Sequence, residues 1–580
     1  MQTTDVLKTA EYARLRLPPL KAIVALAVLT FVAYIPAFRA GFVFDDHILI
    51  EKNPAIHELA NMPRFFVSKE ARIVKDFSDL QSDIYRPLQT VSYTFSYALW
   101  KNRAPFFHAE NIILHLVNGL LVYIIVSSFF ADRVRPFLAS LLFLLHPVQV
   151  EAVTYISERA NVLAVAFCLL SFLALIRSRH AGAANIWYAA SLVLFAGSLL
   201  SKETTVIYPF IIMLYLALAD KGKKSAASAS SVIKTALPYI AILAGYLVIR
   251  TLNLGKIAQM EQRDLISVLA TVPRVFFEYI KLIVWPARLT FFHDFDLVPP
   301  TSPAPVFISA VIITLLFLYL CLRAIRKDKV TAFFLISYLV ALLPVSNIIA
   351  MKVVMQERFL YFPSAFLFTA ISCAVVTVKE KGAIAKYSFL LFIGVVTVVL
   401  LALTFNRNLA WVDQNTLMSR EKLMHSDRGI FDFDLGVDSF RQKRYDEAIG
   451  YLNGALQKRL SPIHAAMAYN TLGDCYRTKG DLPNAIRSYE GALSAVPDYV
   501  SSLNSIGHIY FGMGEYSKAR DYFGKAVMRW PDSPVYNKNL GTAYIMLQDK
   551  ESALKYWKRS LSLDANQPDV VRYINRNEQS

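Results

Sequence analysis

Residues 20–47 read LKAIVALAVLTFVAYIPAFRAGFVFDDH, an apolar run that ends shortly before two adjacent carboxylates, Asp45 and Asp46. The run at 20–38 is long enough to cross a bilayer, which takes about 20 residues. We therefore expect the acidic pair at the membrane surface, where a carboxylate base can meet a lipid-borne substrate. A solvated acidic turn is the alternative interpretation of the same position.

The composition indicates that most of the chain lies in a membrane. Of its 580 residues 55% are hydrophobic and 18% are charged, with a mean hydropathy of +0.39, whereas a soluble protein has about 25% charged residues. The net charge is +17. The basic residues cluster in short loops between apolar runs, which favours cytoplasmic loops over a nucleic-acid partner. The four cysteines form no Cys-x-x-Cys pair, so neither a disulfide framework nor a zinc site is indicated.

Eleven apolar runs predict an all-α membrane domain of about eleven transmembrane helices. They lie at 20–38, 108–130, 136–152, 160–176, 186–200, 204–219, 233–250, 303–323, 331–350, 358–377 and 387–405. A further apolar stretch, 268–284, is interrupted by Pro273, Arg274, Glu278 and Lys281. Charges at helical spacing beside apolar residues are typical of a helix in the interface, so we leave this stretch out of the count. If it spans the membrane, the topology downstream changes.

Loop charge predicts the orientation of these helices. Counted from a cytoplasmic N-terminus with an uncleaved first helix, five basic loops fall on the cytoplasmic side. They lie at 132–135, 177–180, 221–224, 323–329 and 379–386. Eleven spans then place the loop 39–107 and the C-terminal region outside the cytoplasm, in the periplasm if the membrane is a bacterial inner or plasma membrane.

A 34-residue period replaces the apolar runs from about residue 430. The pairs Leu472-Gly473, Ile506-Gly507 and Leu540-Gly541 are 34 residues apart. The same spacing holds for Tyr476, Tyr510 and Tyr544, for Ala485, Ala519 and Ala553, and for Tyr489, Phe523 and Trp557. This order is typical of the tetratricopeptide repeat, in which small residues let two helices pack closely and aromatic residues fill the gap to the next pair.

The period predicts an α-solenoid of about four repeats, which exceeds the roughly three that a stable stack needs. Their bounds are 431–463, 464–499, 500–533 and 534–567. Such a solenoid has a concave face that binds protein or peptide, and Asn470, Asn504 and Asn537 are the candidate contact residues.

The change in composition divides the chain into a membrane domain (1–410), a linker (411–430) and a repeat domain (431–580). The last repeat has Gln548 where the two preceding repeats have Gly480 and Gly514. We expect this atypical repeat to cap the stack.

Several polar residues persist near the ends of the apolar runs, where their cost in the membrane makes them candidates for function. In the predicted topology those on the extracytoplasmic side are Asp45, Arg86, His108, Glu151, Arg159, Lys202, His293 and Arg358. Snorkelling of lysine and arginine to the interface is the alternative. His108, Asn111, His115 and Asn118 share one helix face, which indicates hydrogen bonding between helices rather than a metal site.

The membrane motifs resemble those of the polytopic glycosyltransferase fold known as GT-C. Within it the chain is similar to the transmembrane-and-tetratricopeptide-repeat protein O-mannosyltransferases and their bacterial relatives, over nearly its whole length. The matching residues are Phe44-Asp45-Asp46, Tyr85-Arg86-Pro87-Leu88, His108 to Asn118, His146-Pro147, Glu151-Ala152-Val153, Ser157 to Asn161, Ser201-Lys202-Glu203, Glu357 to Ser364 and Arg407 to Asp413. The chain departs from the pattern at Glu158 and Asn161, where Gly and Asp are expected, and in having only about four repeats.

This resemblance implies transfer of a mannose-like sugar from a polyprenyl-phosphate carrier to an extracytoplasmic acceptor, such as a protein Ser or Thr hydroxyl. Asp45 in the loop 39–107 is then the base that takes the hydroxyl proton, and Asp46 orients it or binds acceptor. The departing phosphate gains negative charge and needs cations nearby. Its candidate binding residues are Arg86, His108, Glu151, Arg159, Lys202, His293 and Arg358. A divalent Mg or Mn between carboxylate and phosphate is the other way to stabilise that charge, and the residues leave both open.

Two other functions compete with this one. The first is a non-catalytic membrane scaffold whose repeats recruit partners for envelope or polysaccharide assembly. The second is an oligosaccharide ligase or polymerase of a different membrane fold, which requires a large loop late in the membrane part. The late loop at 351–357 is short, which counts against the second.

Overall fold

The computed structural model describes residues 17–67, 85–179, 184–218, 228–254, 265–293, 304–348, 353–376 and 382–578. The described residues form helices and no strand, so the predicted all-α fold is confirmed. The chain divides into two compact units, Met1–Gln414 and Asn415–Ser580. We refer to them as the membrane unit and the repeat unit.

The membrane unit contains fourteen described α-helices, joined by short 3₁₀ turns. The α-helices are α1 Leu20–Tyr34, α2 Pro87–Trp100, α3 Ala104–Ser127, α4 Val134–Leu145, α5 Val150–Thr154, α6 Arg159–Ser178, α7 Ala184–Ser201, α8 Tyr208–Leu218, α9 Ala229–Leu254, α10 Leu265–Val284, α11 Ala304–Lys327, α12 Lys329–Leu342, α13 Tyr361–Val376 and α14 Gly382–Ala410. The 3₁₀ turns are Ile35–Arg39, Pro54–His57, Leu59–Phe66, Pro147–Gln149, Ile156–Glu158, Glu203–Ile207, Leu343–Val345 and Glu357–Leu360, and one π turn spans His47–Glu51.

The long apolar helices make this an integral membrane protein. Among the described residues, seven helices have the length and composition to cross a membrane, and the pair 134–145 and 147–154, bent by 53°, is either an eighth, broken span or a re-entrant loop. Three shorter apolar helices follow the remaining predicted runs, at Asn185–Ser201, Glu203–Leu218 and Lys329–Val345. All eleven predicted runs are therefore helical. That all eleven cross the bilayer stays a prediction.

Burial separates an inner group of membrane helices from an outer one. Within the hydrophobic stretches of the helices Ile156–Ser178 and Glu357–Val376, 78% of the residues are buried, against 11–17% for Ala229–Leu254, Ile308–Lys327 and Tyr387–Ala410. A helix that is apolar all round is either buried or exposed to lipid. The inner helices carry the polar residues at their ends, and the outer ones present apolar side chains outward.

Helix α10 is the stretch that we predicted to lie in the interface. It buries Val275, Phe276 and Tyr279 on one face. Its charged residues, Arg274, Glu278 and Lys281, keep it out of the set of helices with spanning composition. Its place relative to the bilayer stays a prediction.

The repeat unit consists of helix pairs. Its described helices are α15 Gln414–Met424, α16 Ile430–Arg441, α17 Tyr445–Leu456, α18 Pro462–Thr478, α19 Leu482–Ala495, α20 Val500–Gly512, α21 Tyr516–Arg529, α22 Pro534–Met546, α23 Lys550–Leu563 and α24 Pro568–Glu578. Helix α15 lies within the segment that we predicted to be a linker. Each of the four predicted repeats contains one pair.

Small residues allow the helices of a pair to approach closely. A Cβ placed on Gly473 would lie 2.6 Å from the Tyr489 ring, and one on Gly507 would lie 2.6 Å from the Phe523 ring. Between paired helices, Gly480 and Gly514 adopt φ of 82° and 77°, a backbone conformation that glycine reaches without strain. The 34-residue pattern therefore reflects helix packing.

The prediction that the fourth repeat caps the stack is wrong. Gln548 adopts φ of 64°, so its turn keeps the geometry of the glycine turns before it. Trp557 of that repeat is buried together with Val570 and Ile574 of helix α24. This additional helix covers the apolar side of the last pair, and the fourth repeat therefore has a neighbour on both sides.

Candidate active site

The acidic pair lies in a tight turn that holds its two carboxylates in different environments. Phe44, just before the pair, has a φ of 46°, which is costly for a bulky residue and typical of functional sites. Asp46 is fully buried. It accepts hydrogen bonds from the Val43 amide at 3.1 Å, from the Ser157 amide at 2.7 Å and from the Ser157 hydroxyl.

These bonds give Asp46 a structural role. Both of its carboxylate oxygens are occupied, and burial leaves no access for an acceptor. Burial also raises the pKa of Asp46 to about 7, although the hydrogen bonds from Ser157 and Val43 favour the charged form. The expectation that Asp46 binds acceptor is therefore corrected. Asp46 fastens the turn to residue 157, and this fixes the position of its neighbour.

Asp45 is the exposed member of the pair. Its amide donates to the Tyr155 hydroxyl at 3.2 Å. Partial desolvation by the surrounding protein raises the pKa of Asp45, while the Arg358 guanidinium and the Tyr155 hydroxyl oppose the rise. An exposed carboxylate with a raised pKa is suited to accept a proton from a hydroxyl.

Glu158 joins two of the predicted cations. Its Oε2 lies 2.6 Å from Nζ of Lys202, and its Oε1 lies 3.0 Å from Nε of Arg358. Arg358 also contacts Glu151, at 2.5 Å through its guanidinium and at 3.0 Å through its amide. Asn161 adds an amide donor to Glu158 at 2.6 Å. The two glutamates therefore balance the two cations in a largely dry cluster.

Burial destabilises the protonated form of one of these cations, Lys202. Lys202 is 2% exposed, and desolvation lowers the pKa of Lys202 to about 8, against the attraction of Glu158. Arg358 is more accessible, with 16% of its side chain exposed. A ligand that approaches from solvent therefore meets Arg358 before Lys202.

Arg86 is also paired with a glutamate. Its guanidinium forms a two-pronged contact with Glu203, at 3.0 Å through Nε and 2.6 Å through Nη2. Arg250 approaches the same carboxylate at 3.9 Å. The pairing explains why a cation persists there: planar two-pronged pairs are the strongest arginine–carboxylate contacts.

A third group lies around Glu357, which is fully buried. His293 approaches it at 3.6 Å and Arg407 at 3.5 Å. Aromatic rings stand beside this group: Phe44 stacks on Phe291 at 5.0 Å, and Trp411 lies 5.4 Å from Phe291. The rings connect the acidic turn to the segment that carries His293.

Comparisons with known proteins show which proteins the chain is similar to. The tetratricopeptide repeat family matches residues 464–532 and 505–568. The human protein O-mannosyl-transferase TMTC3 is 22% identical over 95% of this chain and 65% of its own length.

The chain resembles the protein O-mannosyl-transferases. The resemblance predicted from its motifs is confirmed.

Other matches cover smaller parts. Mouse protein O-mannosyl-transferase TMTC1 is 33% identical over 35% of this chain and 22% of its own length. The crystal structure of the MamA protein is 21% identical over 27% of this chain and 83% of that chain, with a TM-score of 0.24. The chain thus spans less than two-thirds of the length of the mannosyl-transferases that it matches.

Two predicted site residues lie away from this cluster. Arg159 is buried among Ser96, Asn111 and Glu110, with nitrogen–oxygen distances of 2.6 to 2.9 Å. His108 is buried and approaches the Gly41 carbonyl at 3.4 Å. Both side chains hold helices and loops together, so the structure corrects their assignment to phosphate binding.

The helix face shared by these histidines and asparagines forms hydrogen bonds between helices, as predicted. His115 contacts the Tyr361 hydroxyl at 2.9 Å, and Asn118 donates to it at 3.1 Å. Asn111 donates to the Val153 carbonyl at 3.1 Å. These bonds join α3 to α13 and α5, and they account for the polar residues in the middle of an apolar helix.

Among the described residues, the carboxylates around the site other than Asp45 are already engaged by other groups, and the predicted divalent cation stays a prediction. Asp46 has both oxygens occupied by hydrogen bonds, and Glu151, Glu158 and Glu203 are held by cations. Within the described ranges, no group of three or more His, Cys, Asp or Glu side chains is placed to hold a metal ion. Mg²⁺ is usually held by one or two carboxylates together with substrate phosphates. We derive no step through a metal.

The three predicted asparagines of the repeat unit differ in their contacts. Asn470 accepts from Ser502 at 2.9 Å, and Asn504 accepts from Asn539 at 2.8 Å. Both lie on the first helix of a pair and are half-buried. Asn537 is 1% exposed and donates to the Pro531 carbonyl at 2.8 Å. It therefore fastens the turn between repeats, and its assignment as a protein contact is corrected.

Sequence reasoning identified the cations of the site and one of their partners, Glu151, but it did not predict the ion pairs themselves. Glu158 drew attention only as a departure from the family pattern, and Glu357 only as the neighbour of Arg358. Tyr155 was not singled out. A signal was present, because a buried cation requires a counter-charge, but the sequence does not say which glutamate supplies it.

Proposed function

We propose that this protein is a membrane glycosyltransferase that moves a mannose-like sugar from a polyprenyl-phosphate carrier to a Ser or Thr hydroxyl of a protein outside the cytoplasm. One observation carries the proposal. Asp45 is an exposed carboxylate in a strained turn, and its amide is bonded to the hydroxyl of Tyr155, whose ring lies 6.0 Å from the Arg358 guanidinium. The similarity to the mannosyl-transferases indicates the class of sugar.

The proposed chemistry is a single displacement. Asp45 takes the proton of the acceptor hydroxyl while the hydroxyl oxygen forms a bond to the anomeric carbon of the sugar. The bond from that carbon to the phosphate oxygen breaks, and the carrier leaves as a polyprenyl monophosphate with one more negative charge. Arg358, the most accessible cation of the cluster around Glu158, faces this growing charge. Lys202 and Arg86 add to the positive potential.

The repeats have a separate role in the proposal. Half-buried polar side chains recur on the first helices of successive pairs, at Asn470, Asn504 and Asn539. Polar groups spaced along a concave solenoid face suit an extended peptide backbone. We assign to this face the binding of the acceptor protein, on the extracytoplasmic side that the loop charges predict.

The Asp45→Asn variant tests the proposal. A lost general base should reduce transfer by about 10²–10⁴-fold, measured by intact mass of secreted and envelope proteins from cells with either form. Glu58→Gln is the matched control, because Glu58 is an exposed carboxylate in the same loop. Unchanged glycosylation in the Asp45 variant would contradict the assignment. If deletion of the whole protein also left glycosylation unchanged, the scaffold function would be favoured instead.

A further inference from the structure

Glu158 occupies the position of an anion among the donors of the proposed phosphate site. Lys202 and Asn161 each lie 2.6 Å from its Oε2, and Arg358 lies 3.0 Å from its Oε1. Two cations and an amide on two oxygens form the donor set that proteins present to a phosphate. The carboxylate is 8% exposed, so it fills the space among these donors.

We propose that Glu158 is an internal competitor for the phosphate of the carrier lipid, and that the phosphate binds by displacing its carboxylate from Arg358 and Lys202. The identity of the ligand rests on the proposed function, and the competition itself rests on these contacts. Arg358 keeps Glu151 as a partner at 2.5 Å, so the guanidinium stays in place when Glu158 leaves it.

The charges suggest why a competitor is useful. The donor phosphodiester carries one negative charge, whereas the monophosphate that leaves after transfer carries up to two. Without Glu158, Glu151 alone would oppose the two cations, and the remaining positive charge would hold the product more tightly than the donor. Glu158 balances one of these cations, which weakens product binding and permits release.

A Glu158→Gln variant tests this inference through binding rather than catalysis. The full-length protein in nanodiscs is titrated with farnesyl monophosphate, with farnesol and inorganic phosphate as separate probes for the lipid and the headgroup. Removal of the competing charge should tighten binding of farnesyl monophosphate about tenfold or more, because a unit charge a few ångströms away in a partly buried site has an effect of at least this size. Farnesol binding should not change.

A purely structural role for Glu158 predicts the opposite sign. If the carboxylate only holds the cations in place, Glu158→Gln weakens binding, and that result would overturn the proposal. Glu110→Gln is the matched control, since Glu110 pairs with the buried Arg159 at 2.9 Å in a different cluster and should leave the dissociation constant unchanged.

A second variant covers the case in which Glu158→Gln does not fold. Glu158→Asp keeps the negative charge and shortens the side chain by one methylene, so a carboxylate that no longer reaches both Lys202 and Arg358 should compete less and tighten farnesyl monophosphate binding about two- to threefold. Equal or weaker binding there would contradict the inference, as would failure of every variant to bind the probe. Variants that bind as expected, in a protein that transfers no sugar, would contradict the proposed function and support the competition.

Discussion

Replacement of Asp46 by Asn should destabilise the membrane unit, although its neighbour Asp45 tolerates the same change. Asp46 accepts three hydrogen bonds, two of them from the residue at 157, which lies 111 positions away in sequence. An asparagine supplies one acceptor oxygen in place of two. If that oxygen keeps the bonds from Ser157, the new side-chain NH₂ group lies 3.1 Å from the Val43 amide. Both groups are donors, so the Val43 amide then has no acceptor.

The size of the effect follows from these contacts. A buried donor left without a partner costs about 1–3 kcal/mol. The two remaining bonds lose their charged acceptor, which reduces each from about 1.5–3 kcal/mol to about 1 kcal/mol. The sum is about 2–7 kcal/mol for Asp46→Asn. The same change at the exposed Asp45 should stay within about 0.5 kcal/mol.

Cysteine reactivity during heating provides the assay. Cys168, Cys321 and Cys373 of the membrane unit are buried, so a thiol-reactive fluorophore reports when the detergent-solubilised protein opens. A Cys475→Ser background removes the buried thiol of the repeat unit. We expect Asp46→Asn to lower the midpoint temperature of thiol labelling, and we expect Asp45→Asn to leave it unchanged. Equal midpoints for Asp46→Asn and wild type, or an equal drop for the change at Asp45, would refute the distinction between the two carboxylates.

The packing of the repeats and the titration of the site give two further predictions. Gly507→Ala places a Cβ 2.6 Å from the Phe523 ring. The resulting overpacking costs about 1–3 kcal/mol, which should outweigh a gain in helix propensity of up to about 1 kcal/mol. We therefore expect a lower midpoint of thermal unfolding, measured by labelling of Cys475. Gly524→Ala, with no neighbouring atom within 4 Å, should not lower it. Burial lowers the pKa of Lys202 to about 8, so farnesyl monophosphate binding should weaken as the pH rises through 8, where the folded protein loses this positive charge. Lys202→Arg should keep binding constant to pH 10, and an unchanged pH profile would contradict the role of Lys202.

Local sequence pattern was sufficient for much of the fold. Apolar length alone predicted the long apolar helices of the membrane unit, since a bilayer imposes about 20 residues per crossing, but it did not predict α2 in the loop 39–107. The repeats could also be predicted from the sequence, because Gly473 and Tyr489 pack within one helix pair and helix geometry fixes their spacing. The pattern could not predict which element caps the stack, because the burial of Trp557 depends on how residues 568–578 pack against the last repeat.

The candidate site shows the limit of such patterns. The sequence identified Arg86, Lys202 and Arg358 from their positions at helix ends, and the structure pairs each with a glutamate. Arg159 was predicted on the same grounds and has the same charge, yet it lies in a different cluster. Charge and position along a chain do not determine which partner a side chain reaches, because hydrogen bonds act over about 3 Å between residues far apart in sequence.

The sequence by itself determined the helical membrane part, the solenoid that follows it and the acidic turn between the first helices. All of these depend on periodicity and length, which are properties of neighbouring residues. Only the tertiary structure decided that Asp46 is a buried anchor while Asp45 remains exposed, and that Glu158 closes the cluster of cations. Both decisions depend on Ser157 and Glu158, two residues at the start of one inner helix, whose contacts with distant segments exist only after the helices have packed.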